Sequence, residues 1–288
     1  MIGILMAGGA GSRMFPLTNV VNKHLLNIYD KPMIYYSLSL FLLLKIRKIY
    51  LICNENDKKL NIKLFSIYKN FGFEIFYIIQ KKPRGIAEGL MLCKKYIKTN
   101  KVFLVLGDNI LHGSGLIKVL ENAISSLNDD NAIIFPVKAN NPNRYGVPLF
   151  QNKKIIKIYE KPKRYISNYA IPGIYLYGTN VLNHLKTLKP SKRNELEITD
   201  LNNIYIKHSL LKHKLLPQGI NWLDTGSPNS LNDASNYVRT IQTNQGNIIA
   251  CIEEICCENN WISKKDLKKF FLYKNLNNQY IKYVSSIR

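Results

Sequence analysis

The chain opens on an apolar run, Met1–Met6, that feeds into Ala7-Gly8-Gly9-Ala10-Gly11-Ser12-Arg13. Three glycines and an arginine after a strand suit anion binding. Glycine lets backbone N–H groups approach a polyphosphate, and the guanidinium fork matches its oxygens. A tight strand-to-helix connection would use the same glycines with no ligand, and on the loop alone the two readings stand level. The dinucleotide fingerprint fails because position 14 is Met, and the P-loop pattern fails because no Gly-Lys-Ser/Thr follows. Lys23, further along the same connection, adds a compact positive charge. Asp108 follows the apolar run Lys101–Leu106, and Asp224 follows Trp222-Leu223. Two carboxylates at strand ends could hold a Mg²⁺ that also binds substrate phosphates. Each could equally be a helix cap or turn residue, and Asp224-Thr225-Gly226 suits a turn. Glu160-Lys161-Pro162 sets an acid beside a base where a solvated hairpin end is the ordinary outcome.

These residues need a scaffold that brings strand ends together. Strand-length apolar runs, Met1–Met6, Lys48–Ile52, Phe73–Ile79, Lys101–Leu106 and Ala132–Val137, alternate with helical stretches at Met33–Leu44, Asp57–Tyr68, Ile86–Ile97 and Gly115–Leu127. The alternation predicts an α/β fold: a Rossmann-like, mostly parallel sheet with helices on both faces and ligands at its carboxyl edge. After Val137 the pattern changes. Val147–Phe150 and Lys154–Tyr159 flank Gln151-Asn152-Lys153 like a hairpin, and Tyr169–Tyr177 reads as one strand carrying Pro172 and Gly173. This predicts an inserted antiparallel layer. From Ser227 the text is helical, with Asp233–Thr243, Lys264–Phe271 and Leu276–Val284 as candidates and no further strand signal.

At 288 residues, with 46% hydrophobic and 21% charged side chains, the chain can bury a sizeable core without staples. The longest apolar run, Met33–Leu44, is interrupted by Ser37 and Ser39 and is shorter than the roughly 20 residues of a membrane span. No secretory signal pattern follows Met1, so a cytoplasmic protein without membrane partners is expected. The five cysteines form an odd set without a C-x-x-C pair, which disfavours a disulfide framework or zinc site. A net charge of +22 invites a nucleic-acid reading. The lysines are dispersed, however, and Asn, Ile and Tyr are abundant with them, as an A/T-rich coding bias produces. No nucleic-acid partner is expected.

The full stretch from Leu5 to Thr18, followed by Asn22-Lys23-His24-Leu25-Leu26-Asn27-Ile28-Tyr29-Asp30-Lys31-Pro32-Met33, resembles the signature of the sugar-1-phosphate nucleotidyltransferases, most closely their thymidylyltransferase branch. The resemblance continues in order through Gln80, Gly85, Leu106-Gly107-Asp108-Asn109, Arg144-Tyr145-Gly146-Val147, Glu160-Lys161-Pro162, Asn168-Tyr169-Ala170, Arg193, Glu195–Asp200 and Trp222–Gly226. It implies one domain over 1–288, with 1–137 binding nucleotide, 138–226 binding sugar and a helical part at 227–288. It further implies dTTP and glucose-1-phosphate as substrates, Mg²⁺ as cofactor, a homotetramer, and a product feeding deoxysugar synthesis, rhamnose in particular. By resemblance, Gly8, Gly9, Gly11, Ser12, Arg13, Lys23 and His24 contact the triphosphate end, while Gln80 and Gly85 read the base. Asp108 and Asp224 bind metal; Tyr145, Gly146, Glu160, Lys161, Ile171 and Arg193 hold the sugar phosphate.

A phosphate monoester is already anionic near neutral pH, so this chemistry needs no general base. The lack of a Ser-His-Asp or Cys-His pattern agrees with that. Departures from the family pattern are His24 for Gln, Asn27 for Pro, Met6 and Met14 for Leu, Arg84 for an acid, Pro172 beside the sugar pocket, and His112 for an aromatic beside a regulatory site. Two rival readings are a uridylyl- or other nucleotidyltransferase, and a catalytically decayed basic binding protein. Decay predicts loss of Arg13, Asp108, Lys161 or Asp224, and all four are present.

Overall fold

Alternation along the first strand divides the core between two faces of a sheet. In the computed structural model, which describes residues 1–9, 11–272 and 278–287, Ile2, Ile4 and Met6 pack with helix Ile86–Leu92 and helix Ile198–Lys207. Leu5 and Ala7 pack on the opposite side with helix Ile34–Leu43 and helix Leu116–Ser125. All five residues of the strand are buried. That is the pattern of a central strand with helices on both faces.

The sheet has seven strands: β1 (Ile2–Met6), β2 (Lys48–Cys53), β3 (Glu74–Ile79), β4 (Val102–Leu106), β5 (Ala132–Ile134), β6 (Ile174–Tyr177) and β7 (Leu211–His213). Their order across the sheet is β7-β5-β6-β4-β1-β2-β3. β1 runs parallel to β2 and β4, β2 to β3, and β5 to β7. β6 alone is antiparallel to its neighbours. The mostly parallel sheet and its helices match the expected class, with four small antiparallel pairs beside it.

Several predicted elements are cut shorter or divided. Ala132–Val137 leaves the sheet after Ile134, and Val137–Lys138 pairs instead with Tyr169–Ala170. Pro136 has no N–H to continue the ladder. Tyr169–Tyr177 is likewise two strands, separated at Ile171-Pro172-Gly173. Ile86–Ile97 breaks at Cys93, and the helix over 55–65 ends in a 3₁₀ turn at Ser66–Tyr68. The hairpin forms as expected, Gly146–Gln151 against Lys154–Glu160, with Asn152 and Lys153 at positive φ. Pro228–Gln245 starts ahead of the expected Asp233, because Ser227 and Ser230 form a capping box. Ala10 of the glycine loop and positions 276–277 of the last predicted helix lie outside the described residues.

Four strands were not anticipated: Asn27–Ile28 and Lys31–Pro32, which pair with each other, β7, and Asn109–His112, which pairs with Asn221–Asp224, where the sequence offered only the apolar Trp222-Leu223 before Asp224. Each has four residues or fewer, too few for a periodicity to register. Asn109 ties this pair to the main sheet. Its buried Oδ1 accepts from the Gly173 N–H at 2.9 Å and from Trp222 Nε1 at 2.6 Å. Asn109→Ala would leave both donors unpaired, a loss of about 2–6 kcal/mol at about 1–3 kcal/mol for each. Urea unfolding is expected to show that drop, and an unchanged midpoint would contradict this role.

Candidate active site

β1 and β4 end side by side, and their carboxyl ends open into a cleft of about 530 Å³. Every residue singled out from the sequence for phosphate, base, sugar or metal contact lines it. The tertiary fold therefore brings the whole set together.

The glycine loop is fastened from behind by residues that follow it. Thr18 Oγ1 donates to the Gly11 carbonyl at 3.0 Å, and Asn22 Nδ2 donates to the Gly9 carbonyl at 3.2 Å. Gly11 has φ of 64°, and a Cβ there would stand 2.9 Å from Thr18 Cγ2, so only glycine fits. Asn22 also donates to Asp57 at 2.6 Å and accepts from the His24 backbone N–H at 3.0 Å. Sequence reasoning gave Asn22 and Thr18 no role; a side-chain amide between a glycine loop and a lysine was the available signal. Arg13 extends from the loop to the Asp224–Gly226 turn, where a Cβ on Gly226 would come within 2.9 Å of its guanidinium.

Lys23 and Asp108 form a tight, mostly buried ion pair. Burial disfavours the ionised carboxylate, but Lys23 and a 2.9 Å hydrogen bond from Asn109 Nδ2 outweigh it and hold Asp108 well below the usual range. His24 is buried beside them. Burial first, then the Lys23 charge, pushes its imidazole down to about 3, so it is neutral at physiological pH. Its Nδ1–H donates to Asn22 Oδ1 at 2.6 Å. His24 thus lines the cleft as a packed polar ring without adding charge.

Asp224 faces the same space. Burial and the negative charge of Asp108 push its carboxyl up, while the Tyr145 hydroxyl, donating at 3.0 Å, partly offsets this. Tyr145 is braced edge-on against Trp222 at 4.6 Å between ring centroids. Gly146 pairs with Ile171, whose N–H donates to its carbonyl at 2.9 Å.

On the far wall Lys161 lies 3.7 Å from Glu160, and Thr199 donates to Glu160 at 2.6 Å. Arg193 is held by both oxygens of Glu197 at 2.9 Å, with Glu160 at 3.7 Å and Glu195 at 3.6 Å. Glu197 and Thr199 lay within the matched segment at 195–200 but carried no assigned role. Gln80 and Gly85 also meet, with Gln80 Nε2 donating to the Gly85 carbonyl at 3.2 Å. Gly85 has φ of 99°, and a Cβ there would come within 2.3 Å of the Leu196 carbonyl oxygen.

A cleft that sets a glycine loop and cations against a buried carboxylate pair, at the carboxyl edge of such a sheet, is built for phosphoryl chemistry. The family model described as nucleotidyl transferase matches residues 2–241, and the chain belongs to that family of enzymes. Within it, the chain is 40% identical to a glucose-1-phosphate thymidylyltransferase of Neisseria meningitidis, over 98% of each chain. It is 41% identical to one of Xanthomonas campestris, over 99% of this chain and 96% of that one. A solved Bacillus anthracis structure assigned to the same activity, in complex with sucrose, superposes with a TM-score of 0.75 at 38% identity, covering 83% of this chain and 95% of that one. A UDP-glucose pyrophosphorylase at 22% identity shares the fold, with a TM-score of 0.72 over 84% of this chain and 100% of that one.

The raised pKa of Asp224 has a consequence for stability. The folded state holds the proton more tightly than the unfolded state, so the penalty is absent below the unfolded value of about 3.9 and develops as pH rises through the folded value. Asp224→Asn keeps an acceptor for Tyr145 and removes the charge. It is expected to melt at a higher temperature than wild type at pH 7, with the two curves converging near about pH 4. Calorimetry across that range checks this, and a variant melting lower at pH 7 would contradict it.

Proposed function

We propose that the protein transfers a thymidylyl group from dTTP to glucose-1-phosphate, giving dTDP-glucose and pyrophosphate. One observation carries the reading: a single cleft joins the glycine loop, Arg13 and Lys23 on one side to Glu160, Lys161 and Arg193 on the other, across Asp108 and Asp224. Two cation-bearing walls facing one carboxylate pair suit two phosphate substrates that must meet. The thymidylyltransferase relatives, matched over nearly the whole chain, support the choice of nucleotide and sugar.

In this reading a phosphate oxygen of glucose-1-phosphate attacks the α-phosphorus of dTTP. A P–O bond forms there as the bond to the β-phosphate oxygen breaks, and pyrophosphate leaves. The barrier lies in bringing two polyanions together in line. Backbone N–H groups around Gly8, Gly9, Gly11 and Ser12 cradle the triphosphate, with Lys23 beside it. Arg13 neutralises charge on the departing pyrophosphate, and Lys161 and Arg193 grip the sugar phosphate. Glu160, fixed by Thr199, accepts from sugar hydroxyls, while Tyr145, Gly146 and Ile171 shape the sugar pocket.

Asp108 and Asp224 fit a magnesium ion: both are hard oxygen donors, and the charge of one disfavours ionisation of the other. Among the described residues no cluster of three or more metal-ligating side chains forms, and Mg²⁺ needs only one or two carboxylates besides substrate phosphates and water. When bound, the ion would neutralise charge on the reacting phosphates. Among the described residues no helix is long and apolar enough to cross a membrane. A cytoplasmic location, a homotetramer, a division of 1–288 into nucleotide, sugar and helical parts, and a supply role in rhamnose synthesis belong to the same proposal by family resemblance.

Pyrophosphate release with Mg²⁺ and glucose-1-phosphate, measured for dTTP, UTP, CTP, ATP and GTP, tests the proposal. A strong dTTP preference is expected, unaffected by added DNA. Comparable or faster turnover of UTP would make the protein a uridylyltransferase. Lys161→Ala is expected to lower kcat/KM by about 100-fold or more while the melting temperature stays unchanged, since the side chain is half exposed. Wild-type turnover in that variant would remove Lys161 from the mechanism.

A further inference from the structure

The orientation of one cleft side chain is set by a residue behind it. Gln80 is buried, and its Nε2 donates to Glu88 Oε2 at 2.8 Å as well as to the Gly85 carbonyl at 3.2 Å. A carboxylate and a backbone carbonyl both accept and have no hydrogen to give, so only the NH₂ end of the amide can face them. That turns Oε1 the other way. It accepts no hydrogen bond from the described residues, and it is not among the shielded unpartnered atoms, which are Asn61 Oδ1, Asn143 Oδ1 and Tyr205 OH. It lies beside Gly8 of the glycine loop, where a Cβ would stand 3.0 Å from it. Glu88 itself is in the first turn of helix Ile86–Leu92 and does not line the cleft.

We propose that Glu88 is a positioning residue that sets nucleobase choice: by accepting from Gln80 Nε2 it locks the amide carbonyl towards the nucleotide. The inference rests on the reading of the cleft as a nucleotide site. A carbonyl fixed in that direction takes a base with a hydrogen on N3, as thymine and uracil have. It opposes cytosine, whose N3 carries a lone pair. An unlocked amide could rotate and offer NH₂ to cytosine, so the lock acts chiefly by refusing the wrong base. Glu88 is half-buried on a helix surface, and its replacement leaves the core in place.

The test compares kcat/KM for dTTP and dCTP, two nucleotides with the same sugar, in wild type, Glu88→Ala and Glu88→Gln. Glu88→Ala is expected to lower the dTTP:dCTP ratio by about tenfold or more, the worth of one charge-assisted hydrogen bond. Glu88→Gln, whose own amide can turn with that of Gln80, should fall between. General damage to the fold would lower both rates together and leave the ratio alone. An unchanged ratio in Glu88→Ala, with dTTP turnover retained, would overturn the lock. Absence of turnover with any nucleotide in wild type would instead sink the reaction reading. Calorimetric binding of dTMP and dCMP would then still test Glu88: a shifted binding ratio in Glu88→Ala supports the lock, and an equal ratio or no binding overturns it.

Discussion

The buried ion pair between Lys23 and Asp108 is the contact on which the site's geometry depends. It joins the connection after β1 to the end of β4, the two strands that meet at the middle of the sheet. Such a pair adds little net stability, because desolvating both charges offsets most of their attraction; its worth lies in fixing one arrangement. Around it the polar groups are satisfied in sequence. Asn109 donates to Asp108, Thr225 donates to the Asp108 carbonyl at 2.8 Å, and Asn22 holds both His24 and the glycine loop. Asp224, one residue before Thr225, is thereby brought close enough to Asp108 for their charges to interact.

The same fastening explains why the cleft tolerates like charges. Two carboxylates near one another cost free energy, and the cost falls on Asp224, which has the Tyr145 hydroxyl at 3.0 Å and the Arg144 guanidinium at 3.9 Å but, among the described residues, no cation in hydrogen-bond contact. Asp108, with a lysine in contact, stays ionised.

Charge in the cleft is also more balanced than the +22 of the whole chain suggests. Arg193 sits among Glu160, Glu195 and Glu197, and Lys161 beside Glu160. These acids hold the two cations against the cleft wall.

The sequence by itself determined the layered α/β class, because strand-length apolar runs alternating with helical stretches have few other solutions. The ordered string of motifs determined which residues share the cleft, down to Gln80, Lys161 and Asp224. Short elements escaped it. Asn109–His112 and β7 are held by partners far along the chain, and a strand of three or four residues has no periodicity of its own to read. Tertiary structure alone decided that Tyr169–Tyr177 divides between two sheets, that His24 is sealed and neutral, that Asn22 and Asn109 fasten the rim, and that Glu88 dictates the face Gln80 presents. Each of these depends on which acceptor or donor stands opposite a polar side chain. That is set by contacts between distant segments, and local sequence carries no record of it.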